Sequence, residues 1–253
     1  NAEYFVSPAT GSSEQRRPLM VPRNLSHARE TVHSSDSTSV VLSFPPEPEY
    51  EIPMKLTYTP LGDSVDLLVE LLPQRTLSGF EIFFASYICE DFDETWVCLK
   101  DREPVNTGGF PEWKRLDNRE IINSVFRIPR DPASALLIED GRWGKRLPLL
   151  PRVDTGNAFF HHPVMVARNS RTGFALVFLL SPESTSTLAG QYHGWDTAHD
   201  WSFGFDLMKG RPERARARLT YIRIADSSEI GPVCEPLLKR FISEGSCATG
   251  AVL

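Results

Sequence analysis

The stretch Gln191–Trp201, QYHGWDTAHDW, concentrates the side chains most able to do chemistry. Tyr192, Trp195 and Trp201 supply flat apolar surfaces, and His193, Asp196, His199 and Asp200 supply hydrogen-bond donors and acceptors. Sugars call for this mixture, because their C–H faces stack on aromatic rings while their hydroxyls need directed hydrogen bonds. Arg168 adds a bidentate donor suited to a carboxylate or phosphate. If the stretch is a loop on a concave rim, it lies over the sheet face that carries Glu81 and Tyr87. Three readings follow. In the first, His193 or His199 is a general acid/base for sugar epimerisation, elimination or hydrolysis, with Asp196, Asp200 or Glu81 as its partner. Trp195, Trp201, Tyr87, Tyr192, Arg168 and Asp200 then bind the substrate. In the second, the same residues only bind a glycan. In the third, His161, His193 and His199 hold a metal with an aspartate. A histidine pair six apart has no regular ligand spacing, so the expectation is no metal and no cofactor. The rival to all three is a structural or interaction domain of a larger assembly, with no pocket.

These residues need strands to position them. Met54, Leu56 and Tyr58 alternate with Lys55, Thr57 and Thr59, and Val65, Leu67, Val69 and Leu71 repeat the pattern after Leu61-Gly62-Asp63-Ser64, which predicts an antiparallel hairpin. In Leu77–Glu90, Phe80, Ile82, Phe84 and Ile88 share one face. Glu81, Phe83, Ala85 and Tyr87 share the other, either a concave binding face or a half-exposed edge. Further strands are read at Tyr4–Val6, Ser39–Phe44, Trp96–Leu99, Ile121–Ile128, Pro163–Ala167 and Trp201–Leu207. Phe174–Leu180 is apolar on both faces, which predicts a central strand with Phe174 and Phe178 in the core. Ala135–Ile138 leads into a turn at Glu139-Asp140-Gly141-Arg142. Arg214, Arg216 and Arg218 alternate with apolar residues, as on a solvent face. Only the tail reads as helix, over residues 230–245. Pro232 sits at its start, Val233, Leu237, Leu238, Phe241 and Ile242 form a stripe, and Gly245 marks its stop.

Composition bounds the rest. The 253 residues are 41% hydrophobic and 24% charged, enough for one sizeable core and typical of a soluble globular protein. The expected organisation is one domain over 1–253, with an irregular N-terminal segment over 1–38. A net charge of −6 argues against nucleic acid or an anionic membrane as partner. No apolar run approaches the roughly 20 residues that span a bilayer. The chain begins at Asn1, as after processing or trimming. The four cysteines form no CxxC pair, and reduced thiols are the simpler expectation over two disulfides.

Twelve or more mostly antiparallel strands require two stacked sheets. MKLTYTPLGDSVDLLVELLP resembles a hairpin of galactose-mutarotase-like proteins, in which a strand ending in an aromatic-Thr pair turns back into alternating aliphatics. HHPVMVARNSRTGFALVFL similarly resembles their central strand pair. The resemblance covers roughly residues 39–225. It implies an all-β fold, a large two-sheet antiparallel β-sandwich of supersandwich type with one C-terminal helix, and a carbohydrate ligand. It transfers no active site, because the mutarotase catalytic His and Glu match no specific positions here.

Overall fold

The computed structural model describes residues 2–5, 19–20, 31–33, 38–46, 51–101, 112–116, 125–139, 153–154, 158–192 and 196–248. These form two β-sheets and two α-helices. The strands are β1 (Ala2–Phe5), β2 (Leu19–Met20), β3 (Thr31–His33), β4 (Val40–Phe44), β5 (Met54–Leu61), β6 (Ser64–Leu71), β7 (Leu77–Cys89) and β8 (Glu94–Asp101). They continue as β9 (Glu112–Leu116), β10 (Val125–Pro129), β11 (Val153–Asp154), β12 (Ala158–Arg168), β13 (Phe174–Leu180), β14 (Thr185–Tyr192), β15 (Asp196–Leu207) and β16 (Glu213–Arg223). The helices are α1 (Pro132–Glu139) and α2 (Ile230–Ala248).

A seven-stranded sheet runs β11-β10-β14-β15-β7-β1-β2, and a nine-stranded sheet runs β3-β4-β5-β6-β16-β13-β12-β8-β9. All described pairings are antiparallel except the short β10–β11 pair. The period-two patterning explains how the sheets face each other. Phe80, Ile82 and Phe84 of β7, Leu188 of β14 and Trp201 and Phe203 of β15 meet Met54, Leu56, Leu67, Val69, Phe178 and Leu180 of the nine-stranded sheet in one core. The far face of β12 and β13 carries Val164, Val166, Ala175, Val177 and Leu179, which pack under Ile230, Cys234, Leu238 and Phe241 of α2. The β13 strand is thus covered on both sides, as its two apolar faces require. No described helix is long and apolar enough to cross a membrane.

The predicted hairpin forms as β5 and β6, with Gly62 at φ 59° in the turn. The tail helix also forms. Asp226 and Glu229 make a capping box at the 3-10 turn Ser227–Glu229 that leads into it. Some expectations are corrected. Gly245 does not end α2, which runs on to Ala248. Its missing side chain instead leaves room for the Arg216 guanidinium against the helix. Ala135–Ile138, read as leading into a turn, lies in α1, which Asp131 opens with its carboxylate accepting from Ser134 N at 2.8 Å, and residues 140–142 of that turn fall outside the described residues. Residues 185–192 form a strand that the sequence hides, because Gly190 breaks the pattern. A Cβ there would lie 2.5 Å from the Phe126 ring, so the position must stay bare for β10 to pack.

The alternating arginines of β16 are not a plain solvent face. Arg218 donates to Asp66 Oδ1 and Oδ2 at 2.5 and 2.9 Å and pairs with Glu244 of α2 at 2.8 Å, while Arg216 and Arg218 lie over the Phe241 ring. They clamp the helix onto the sheet. Finally, Phe178 is buried, but Phe174, the first residue of β13, is exposed. Cys89, Cys98 and Cys234 are free thiols. Burial pushes the Cys98 pKa up to about 11 and the Cys234 pKa up to about 12, with Glu235 adding to both.

Candidate functional site

The β7–β15 ladder sets which candidate residues meet. Directly opposed residues of an antiparallel pair point to the same side, and neighbours along a strand point to opposite sides. Trp201 opposes Phe84 and His199 opposes Ser86, on the side facing the core. Asp200 opposes Ala85, Ala198 opposes Tyr87 and Gly204 opposes Glu81, on the other side. The residues predicted as one site are therefore divided.

On the core side, Trp201 stacks on Phe84 with centroids 5.4 Å apart and packs against Phe178. The His199 ring lies parallel to Phe178 at 5.7 Å, and its Nε2 shares a 3.0 Å hydrogen bond with Thr95 Oγ1. It is fully buried. That burial pulls its pKa down to about 4, partly offset by a backbone hydrogen bond at Thr197. His199 is thus held as a neutral imidazole inside the sandwich.

Arg168 is placed elsewhere again. It ends β12 in the other sheet, where Nη1 donates to Glu94 Oε2 at 2.7 Å, Nε to Ile224 O at 2.9 Å and Nη2 to Ala225 O at 2.6 Å. Its guanidinium holds the chain that leads into α2, so Arg168 does not join Glu81 and Tyr87 in one substrate-binding set. His161 lies on β12 with its ring centroid 4.3 Å from that of His162. The described residues assemble no group of three or more His, Cys, Asp or Glu side chains that could hold a metal. His193 and Trp195 fall outside the described residues. Tyr192 and Asp196 lie in β14 and β15, so the stretch read as one loop is largely two paired strands.

The outer side of the seven-stranded sheet brings the remaining candidates together with residues the sequence did not single out. Glu81 is 0% exposed, as is Arg127 of β10. Ser186 Oγ donates to Glu81 Oε1 at 2.7 Å, Arg127 Nη2 approaches the same oxygen at 3.8 Å, and Arg127 Nη2 donates to Ser202 Oγ at 3.4 Å. Ser186 reaches Glu81 because the β14–β15 register shifts between Thr185 and Thr187 and because Gly204 opposite Glu81 is bare. A Cβ there would sit 2.9 Å from Ser186 Cβ. Asp200, nearly buried, accepts from Ser86 N at 3.2 Å through Oδ1. Thr187 and Gln191 are buried on this side, and Tyr87 is exposed at its end. The β7 strand is no edge, since β15 and β1 flank it. Arg127 was missed because a single arginine between Phe126 and Ile128 reads as an outward-facing strand residue. Only its tertiary neighbours distinguish it.

No family model matches the sequence, and no curated protein matches it. Solved structures do. The alpha-N-acetylgalactosaminidase NagBb from Bifidobacterium bifidum superposes over 95% of this chain and 33% of its own, with TM-score 0.55 and 12% identity. A galactose mutarotase related enzyme from Lactobacillus acidophilus superposes over 78% of this chain and 72% of its own, with TM-score 0.48 and 6% identity. The Slr1438 protein from Synechocystis covers 76% of this chain, with TM-score 0.46 and 10% identity, and 64% of its own length is matched. The chain thus spans about a third of the galactosaminidase and less than two thirds of the Slr1438 protein. These identities speak to fold alone, and at that level the chain is a two-sheet antiparallel β-sandwich similar to part of NagBb.

Proposed function

We propose that this chain binds a carbohydrate on the outer side of its seven-stranded sheet, through Tyr87, Asp200 and Gln191, with the buried Glu81–Arg127 pair holding the polar layer in place beneath them. One observation carries the reading: a fully buried Glu81–Arg127 pair sits on the sheet side turned away from the apolar core. Burying two charges costs several kcal/mol per ion before pairing, by an order-of-magnitude estimate, so stability alone does not favour such a pair. A few precisely placed polar groups in a site fix the orientation of a bound small molecule. If the protein is an enzyme, Asp200 is the proton-transfer group, in place of the core-facing His199, and Glu81 is a positioning residue behind it. His193, Trp195, Asp196 and Tyr192 stay in the proposal as sequence candidates for ligand contact.

The test is a thermal-shift and calorimetric titration with methyl galactoside, methyl N-acetylgalactosaminide and methyl glucoside. A ligand at a hundred times its Kd stabilises the native state by about 2.7 kcal/mol. Glu81→Gln and Asp200→Asn should weaken the response at least tenfold. An unchanged response in both variants refutes this location.

A second reading is favoured by the extent of the likeness to NagBb, in which 95% of this chain corresponds to 33% of a larger enzyme. Here the chain is a non-catalytic sandwich of a larger carbohydrate-active protein, and the polar layer receives another part of that protein. The isolated chain would then show no sugar response at the polar layer.

A further inference from the structure

One end of the nine-stranded sheet carries a feature separate from the polar layer. Leu176 opposes Tyr221 and Phe174 opposes Arg223 on β13 and β16, so Phe174 and Tyr221 are diagonal neighbours on one side. Their rings are parallel to within 11°, with centroids 5.1 Å apart. Even so, Phe174 is 40% exposed and Tyr221 47% exposed. Each ring gives one face to the other, so this exposure comes from outer faces and edges. Arg223 is exposed directly across from Phe174 and makes no hydrogen bond or ion pair among the described residues.

The backbone beneath the rings is firmly held. Asn169 Oδ1 accepts from Arg171 N at 3.0 Å and Thr172 N at 2.9 Å, and Gly173 N donates to Asn169 O at 2.9 Å. Gly173 takes φ 74°, and its carbonyl accepts from Ile224 N at 2.7 Å. Any side chain there would meet the Ala225 Cα and the Ile224 carbonyl at 3.1 Å. Tyr221 N donates to Asp63 O at 2.8 Å. The backbone that carries the rings is therefore held and the rings rest on each other, which lowers the ordering a ligand must impose.

We propose that Phe174, Tyr221 and Arg223 form a saccharide subsite. A pyranose ring lays its C–H face on the open face of the aromatic stack, and the Arg223 guanidinium donates to its hydroxyls or to a carboxylate. Two rings are too small an apolar area for a stable protein interface, which needs about 1,000 Å². They match a single sugar ring, and the Arg223 guanidinium supplies the directed polar contact that ring requires. The ligand class rests on the carbohydrate reading above, but the location uses none of the polar layer.

The experiment is an amide-resolved NMR titration of the full chain with the three methyl glycosides named above and linear trisaccharides of the same sugars. It compares the native protein, the Phe174→Ala/Tyr221→Ala double variant, Arg223→Gln and Glu81→Gln. Amides of residues 172–175 and 220–223 should shift. The double variant should weaken that binding at least tenfold, Arg223→Gln several-fold, and Glu81→Gln not at all. Shifts confined to the polar layer and lost only in Glu81→Gln would overturn the subsite and leave the first proposal standing. Shifts at the rings that survive Glu81→Gln, with none at the polar layer, would support the subsite and sink the first proposal. Absence of shifts at the rings with every sugar, or their persistence in the double variant, overturns the subsite.

Discussion

Acid should destabilise this protein through His199. The ring is fully buried and neutral, with its pKa pulled down to about 4 by desolvation. In the unfolded chain it titrates near 6.5. Below pH 6.5 the unfolded state takes up a proton that the native state refuses, so the unfolded state gains. The contribution of neutral burial is complete above pH 6.5, falls as pH drops through that value, and reaches its floor below about pH 4. The full span is about 3.5 kcal/mol, and about 2 kcal/mol of it is gone by pH 5. The assay is urea unfolding at pH 7.5 and pH 5 for the native protein and His199→Gln, compared as a difference of differences. The comparison cancels carboxylates such as Glu70, Asp93 and Asp131, whose pKa values lie below the ordinary and whose losses come lower in the acid range. Burial works against the charged form of Asp131, but the Ser134 amide and the Arg130 guanidinium outweigh it and hold that carboxyl below its usual range. The native protein should lose about 2 kcal/mol more than the variant between the two pH values. Equal losses, or an NMR titration of His199 near 6.5, would refute the reasoning and return the imidazole to the list of proton-transfer groups.

The β13 strand offers an internal comparison. Phe178→Ala should cost about 3–5 kcal/mol in chemical unfolding, because its ring packs against His199 and Trp201 in the core. Phe174→Ala, at the start of β13, should cost less than about 1 kcal/mol, and equal costs would contradict the exposed position of Phe174. Arg218→Ala should cost about 2–3 kcal/mol and speed amide exchange across α2, since it removes the contacts to Asp66 and Glu244 together. That estimate lies below a fully buried pair because both carboxylates keep some contact with water. Unchanged exchange in α2 would show that the apolar stripe alone holds the helix.

The sequence by itself determined the elements whose faces are marked along the chain. Alternation in 54–71 specified β5, the turn and β6, because a period of two leaves only one side for Leu67, Val69 and Leu71 to bury. The unbroken apolar run at 174–180 specified a central strand, and the stripe after Pro232 specified the tail helix. The two-sheet sandwich followed from the number of such strands. Local pattern has no access to partners, and there the tertiary structure decided. It sent His199 and Trp201 inward and Asp200 outward, because they are consecutive or alternate residues of one strand. A cluster eleven residues long therefore could not face one ligand. It joined Glu81 to Arg127 and Ser186, which are far apart in sequence and meet only through the strand order β10-β14-β15-β7. It turned the arginines of β16 into a clamp by laying α2 over them. It also left Phe174 exposed at the start of β13, since how far cover extends along a strand depends on elements that no single segment encodes.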